Sequence, residues 1–262
     1  MALLVLFVNG GFYAWRARRL RTLPACDAVE GLGVFHATLA FARECVALAA
    51  VVFLVPLAWR MRRRCAGPIT RGPIILVHGW GLTAGSLWCL RYRLRREGWG
   101  PVYCLGSRAG CAARLDVEGV AEALRQMIQQ AVPGNQPLTL IGHGVGGLVV
   151  RYCVRRYSTP NVRRIVTLGT PHFGTELARF GRLRAVAPGA PLLNKLNAVD
   201  HLPQQFDVIA IHSTFDAMVL PPSHASYPGA FNIQVNDVGH LALLFSAKVY
   251  QLIAENLAAP MT

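Results

Sequence analysis

The chain is 262 residues long, 53% hydrophobic and carries a formal net charge of +14 at pH 7, with a mean hydropathy of +0.35. That length suits one α/β domain with an appendage, and that hydropathy is high for a protein surrounded wholly by water. Lys195 and Lys248 are the only lysines; the arginines that make up the remaining positive charge are not interleaved with stacking aromatics in any recognition module, which excludes nucleic acid as the partner.

Two apolar runs open the chain. Ala2 to Trp15 is followed by Arg16, Arg18, Arg19 and Arg21; Val34 to Trp59 is interrupted by Arg43 and Glu44 and closed by Arg60, Arg62, Arg63 and Arg64. A spanning helix needs about 20 apolar residues. The first run is therefore short, and the second spans only if Arg43 and Glu44 lie near an interface or are buried in protein. Basic clusters beside apolar ends are what cytoplasmic margins show, so residues 1–65 are expected to form a membrane-anchor region of one or two apolar helices. The alternative is a pair of helices packed on the globular domain. Two spans would put one basic cluster on each side of the membrane, against the positive-inside tendency. Either the second run alone spans, or the chain begins inside a longer membrane region. No cleaved signal peptide is expected, because no basic segment precedes the first run.

Residues 66–72 read as the linker to a domain filling residues 66–262. Pro73-Ile-Ile-Leu-Val-His-Gly-Trp-Gly81 is an apolar strand ending in glycines, as buried parallel strands do. A helical pattern follows from about Ala84 to Glu97, then a short strand over Val102–Leu105 and an amphipathic helix over Leu115–Ala131 capped by Asp116. Leu138 to Ile141 is the next strand, and a helix starts directly behind Gly146 and Gly147. Strands over Arg164–Leu168, Phe206–His212 and Phe231–Val235, a Pro/Gly-broken stretch at 171–205, and a terminal helix from about Leu241 to Leu257 complete the alternation. Such alternation gives an α/β fold with a mainly parallel sheet of about six strands and helices on both faces, binding ligands beyond the strands' carboxyl ends. The seven cysteines form no Cys-x-x-Cys pair and no Cys/His cluster of ligand spacing, so no metal or cofactor is expected. They read as reduced thiols, although Cys104 and Cys111 are spaced to meet across a loop in an oxidising compartment.

Gly142-His143-Gly144-Val145-Gly146-Gly147 joins strand to helix through a tight turn. In this context Gly-x-Ser-x-Gly forms a nucleophile elbow, which lifts one side chain above the sheet and turns the first helical N–H groups toward whatever it attacks. The central position here is Gly144. Glycine adopts such strained geometry at little cost, so the turn is kept and the nucleophile is lost. Gly-rich turns also occur wherever a helix packs closely on a sheet, and this one alone does not define a hydrolase.

Three further stretches stand at strand ends: Leu76-Val-His78-Gly79-Trp80-Gly81, Leu168-Gly-Thr170-Pro171-His172-Phe173-Gly174-Thr175, and Gly239-His240 with Leu-Leu-Phe-Ser following. With the elbow, they make residues 73–257 resemble an α/β-hydrolase of the bacterial lipase/esterase, triacylglycerol-lipase-like type. The resemblance implies acyl-ester hydrolysis through a Ser-Asp-His triad, with Gly144 at the nucleophile position, Asp216 as acid and His240 as base. Asp237, three residues before His240, is the rival acid; Asp207 sits at the wrong end of its strand. The backbone N–H groups of Trp80 and Val145 would form the oxyanion hole. Trp80, His143, His172 and Phe173 are the candidate substrate-binding residues, His143 and His172 reading equally as supports of their turns. A cap or lid is expected at about 175–205. The implied partners are a lipid or acyl-ester substrate and, through the amino-terminal helices, a bacterial inner membrane with the cytoplasmic side favoured; no oligomeric state is implied. Two functions follow: a membrane-associated lipase/esterase inactivated by Gly144, or a non-catalytic protein that binds an acyl ligand or a protein partner.

Overall fold

The computed structural model describes residues 2–22, 34–58, 71–106, 115–131, 136–179, 181–198 and 202–260. The expected linker up to residue 70, the arginines at 60–64 and Cys26, Cys65 and Cys111 lie outside the described residues.

Six short apolar runs form the strands β1 (Ile74–Val77), β2 (Val102–Cys104), β3 (Leu138–His143), β4 (Val162–Leu168), β5 (Asp207–Ser213) and β6 (Phe231–Val235). All pair in parallel, in the order β2-β1-β3-β4-β5-β6. Every residue of β1 and β3 is buried, as strands covered on both faces require. Between and after the strands run α3 (Trp88–Arg96), α4 (Val117–Ala131), α5 (Val145–Arg156), α6 (Pro191–Asn197), α7 (Leu202–Gln205) and α8 (Ala247–Ala258), preceded by the amino-terminal α1 (Ala2–Leu20) and α2 (Val34–Leu54). The period of two along β1 separates two cores. Ile75 and Val77 meet Leu124 of α4 and Leu148 of α5 on one face. Ile74 and Leu76 meet Leu90 of α3 and Val249 and Ile253 of α8 on the other.

Strand order reverses at β1, whose neighbours are β2 and β3. The chain leaves the sheet in opposite directions there, and a crevice opens beyond the carboxyl ends. α5 starts hard against this point: a Cβ built on Gly146 would lie 2.5 Å from the Val77 carbonyl oxygen and 2.7 Å from that of His78.

The capping expected of Asp116 is present, its Oδ1 accepting the Gly119 N–H at 2.8 Å. Two predicted helices start differently. The segment from 84 opens as a 3₁₀ turn, Ala84–Leu87, before α3. The terminal segment is broken into a 3₁₀ turn, Ala242–Leu244, and α8, because Ser246 caps a new helix by accepting the Val249 N–H. The stretch at 171–205 contains 3₁₀ turns at Glu176–Arg179 and Gly181–Val186, then α6 and α7.

α1 and α2 pack on each other and on the loops at the carboxyl end of the sheet. Tyr13 meets Phe41 edge-on at 5.4 Å and stacks on Phe215 at 4.9 Å. α2 buries the stripe Ala40, Glu44, Ala47 and Val51, whose spacing marks one helix face. Its other side carries Phe35, Val46 and Phe53, 75%, 70% and 67% exposed, beside Phe7 of α1 at 81%. The segment Phe35–Leu57 has the length and apolarity of a membrane span, with a mean hydropathy of 2.0. The helices pack on the domain through the buried stripe and leave this apolar side uncovered.

Gly146→Ala forces its methyl group into the β1 backbone. It is expected to destabilise by about 1–3 kcal/mol, lowering Tm by several degrees for a domain of this size. An unchanged Tm in a thermal melt would show that α5 can move away from β1.

Candidate active site

β3 delivers the turn. Gly144 sits at φ 54° and ψ −127°, in the positive-φ region where a Cβ is strained, and α5 begins at the next residue. The turn is fastened to its neighbour strand by the Gly144 N–H, which donates to the Leu168 carbonyl at 2.8 Å.

β5 ends at Ser213, and the following turn carries Asp216, 1% exposed. Its Oδ1 accepts the N–H groups of Met218 (2.6 Å) and Val219 (3.0 Å). Its Oδ2 faces Nδ1 of His240 at 2.7 Å. A carboxylate can only accept, so Nδ1 carries the proton and Nε2 is left as the base. Nε2 stands over the elbow: a Cβ at position 144 would lie 3.0 Å from it and 3.4 Å from Cε1. That is tighter than almost any real Cβ contact. To admit a side chain at 144 the imidazole would have to give by a few tenths of an ångström.

Burial works against an imidazolium at His240, but the charge and hydrogen bond of Asp216, with the charge of Glu44 behind them, outweigh it and hold its pKa above the ordinary value. His143 lies beneath, its ring centroid 4.5 Å from that of His240. Its Nε2–H donates to the His240 carbonyl at 3.0 Å. Burial, with the adjacent His240, pushes its pKa down to about 3, so His143 is a neutral prop under the base.

The rival acid is engaged elsewhere: Asp237 pairs with Arg43 of α2 at 2.5 Å and with Lys248 at 3.6 Å. Asp207 binds Arg164 at 2.6 Å at the far end of β5. Neither Ser213 nor Cys153 offers a free nucleophile in place of a residue-144 side chain. Ser213 Oγ donates to the Val238 carbonyl and accepts the Phe215 N–H, and burial pushes the Cys153 thiol up to about 12. Among the described residues no cluster of three His, Cys, Asp or Glu is arranged to hold a metal ion.

An apolar cavity of about 210 Å³ opens over Gly144 and His240. Trp80 and Val145, the two expected oxyanion positions, both line it. Of the other expected substrate-binding residues, none lines this cavity. His143 is the prop just described. His172 is fully buried, within 3.2 Å of Thr167 Oγ1 and 3.3 Å of the Arg151 guanidinium, and stacked on Tyr227 at 4.5 Å. It therefore braces the Thr170–Gly174 turn from inside. Phe173 is 37% exposed and faces the His224 ring. In their place the cavity takes Leu177, Leu183 and Val186 from the cap segment, and Val8, Phe12 and Leu48 from the amino-terminal helices. The sequence pattern marked these helices as an anchor and gave no sign that they wall the site.

A histidine oriented by a buried carboxylate, the Trp80 turn after β1, the helix start at Val145 and an apolar cavity meet around Gly144, an arrangement that suits acyl transfer.

A family profile described as palmitoyl protein thioesterase matches residues 73–226. Triacylglycerol lipases of Pseudarthrobacter phenanthrenivorans and Burkholderia plantarii are each 32% identical over 117 residues, 42% of this chain; the match spans 36% and 32% of their lengths, so the chain covers about a third of these curated relatives. Among solved structures, the mature form of a Bacillus licheniformis lipase aligns with a TM-score of 0.61 at 13% identity, over 74% of this chain and 94% of that one. Aspergillus fumigatus lipase B aligns with the same TM-score at 16% identity, over 76% and 55%. These two structures share the fold. The family match covers more than half of the chain and all the strands from β1 to β5, and this protein belongs to the palmitoyl protein thioesterase family, with the α/β-hydrolase fold of lipases and esterases.

Proposed function

We propose that this protein is a membrane-associated acyl-ester hydrolase of the serine type in which Gly144 replaces the nucleophile, so that as it stands it binds the acyl chain and does not turn it over. The observation that carries this reading is the Asp216–His240 pair at 2.7 Å, aimed at a position-144 backbone already in the nucleophile's conformation. The apolar lining of the cavity suits the hydrocarbon of an acyl ligand. The family description adds thioesters of palmitate, and the relatives' names add triacylglycerols, as the substrate classes to try. A second reading, a binding protein with no hydrolytic role, draws support from the His240 ring closing into the nucleophile's space.

The membrane part of the proposal rests on the exposed apolar side of α1 and α2 and on the arginines at the end of α1 and in the sequence after α2. Phe7 and Phe53 would enter the lipid while the opposite stripe of α2 stays on the domain. The arginines at 60–64 favour the cytoplasmic face.

With p-nitrophenyl esters of short and long chains, Gly144→Ser is expected to hydrolyse about 10⁶-fold faster than the unaltered chain, the usual cost of losing such a nucleophile. It should also melt lower, since a non-glycine residue there carries about 1–3 kcal/mol of strain. No turnover in either chain would sink the hydrolase reading and leave the binding one.

In that serine variant the base must be neutral, and the His240 pKa is raised. Activity is therefore expected to rise with pH through an ionisation above 6.5. The same raised pKa stabilises the fold below about pH 6.5, and that contribution is lost as pH climbs through the folded value. An activity limb at or below 6.5 would contradict the charge balance described above.

Phe7→Ser or Phe53→Ser is expected to weaken partition into phosphatidylglycerol-containing vesicles about tenfold each, by loss of ~1.5 kcal/mol of buried ring. Equal sedimentation of the variants and the unaltered chain with vesicles would remove the lipid role of this face.

A further inference from the structure

We infer that Glu44 is a positioning residue of the catalytic site, holding from α2 the turn that presents His240, so that the amino-terminal helices complete the site. The inference rests on the assignment of Asp216 and His240 as acid and base.

Glu44 is 4% exposed in an otherwise apolar helix face. Its two carboxylate oxygens accept the backbone N–H groups of Leu241 at 2.8 Å and Ala242 at 2.9 Å, the two residues directly after His240. The residue directly before His240 makes room for it: a Cβ on Gly239 would collide with Glu44 Oε2 and lie 2.5 Å from Tyr13 Oη. The histidine is thus bracketed, glycine on one side admitting the carboxylate and two N–H groups on the other binding it. α1 treats the acid loop in the same way. Arg16 donates to the carbonyls of Thr214 (2.6 Å) and Asp216 (3.3 Å), with its guanidinium over the Phe215 ring at 4.9 Å.

A docking surface needs no carboxylate. Burying one is costly unless it is fully hydrogen-bonded, and an apolar side chain at 44 would attach the helix as well. What a carboxylate adds is directional: it fixes two successive N–H groups, and with them the height of the His240 ring over Gly144. The groups facing His240 are Asp216 at Nδ1, Glu44 behind its turn and His143 beneath, with Tyr13 and Arg16 contacting the acid loop.

The test uses the whole 262-residue chain and two readouts. In the unaltered Gly144 chain, the His240 ring is titrated by NMR with and without Glu44→Gln, which keeps the shape but removes the charge and one of the two acceptors. The ring pKa is expected to fall by about half a unit or more. In the Gly144→Ser background, Glu44→Gln is expected to lower kcat on p-nitrophenyl butyrate about tenfold with KM nearly unchanged. Gly239→Ala, which pushes the carboxylate off the turn while leaving its charge in the chain, is expected to lower kcat likewise. A His240 titration unmoved by Glu44→Gln overturns the inference, whether or not Tm falls, because a purely structural contact would lower Tm alone. So does a rise in KM at constant kcat, which would make Glu44 only a cavity wall. If the serine background is inactive, the hydrolase reading fails, and the titration still decides this one.

Discussion

A side chain can be lifted clear of a buried parallel strand only where the backbone turns through positive φ and a helix starts at once. β3 meets that demand at Gly144, and α5 leaves it so close to β1 that position 146 has no room for a Cβ. From this one turn the rest of the site follows. Placing the elbow beside β1 brings Trp80 and Val145 to the same cavity, and placing β4 and β5 on its other side brings the Asp216 turn within reach of the loop after β6. Gly144, Asp216 and His240 each follow a different strand, so they meet only when the whole sheet is in register.

The amino-terminal helices answer two demands that pull against each other. α2 has the length and apolarity of a span, yet it contains an ionisable pair, Arg43 and Glu44, that lipid would not tolerate. The fold resolves this by giving both residues partners on the domain, Asp237 for Arg43 and two backbone N–H groups for Glu44. α1 does the same through Arg16 and through Arg19, which pairs with Glu176 at the start of the cap segment. A helix with one face held in this way has only its other face to offer lipid. Val8, Phe12 and Leu48 then stand where lipid, cavity and catalytic loops meet, which in the proposed arrangement shortens the path of an acyl chain out of a bilayer.

The sheet and the tight strand-to-helix turn at Gly144 were legible in the sequence because their signals are local. Apolar runs ending in glycine mark parallel strands, and Gly144 between Gly142 and Gly146 marks the turn. Chain order pointed to Asp216, which the structure sets against His240 Nδ1, while Asp237 faces Arg43 and Lys248. What was not legible depends on contacts far apart in the chain. The spacing of Glu44 within α2 carries no hint that residues 241 and 242 lie beside it, and the histidines at 143 and 172 look like site residues until their burial is seen. The break between residues 244 and 247 escaped a periodicity argument because both pieces are apolar on the same side, and only the Ser246 cap separates them.

Glycine at 144 alters the site in more than reactivity. It avoids the strain that a side chain bears at φ 54°, and the imidazole stands where a Cβ would lie 3.0 Å from its Nε2. Neither feature calls for the buried Asp216–His240 pair. Yet Asp216 stays buried with three hydrogen bonds, His240 keeps its Nδ1 partner, and His143 still props the turn. A buried ionic pair of this kind contributes little that apolar packing could not supply. Its organisation makes physical sense for a base that must keep one tautomer and one height, and such a base has work to do only against a bound polar group: the carbonyl of an acyl ligand, or the hydroxyl that Gly144 lacks.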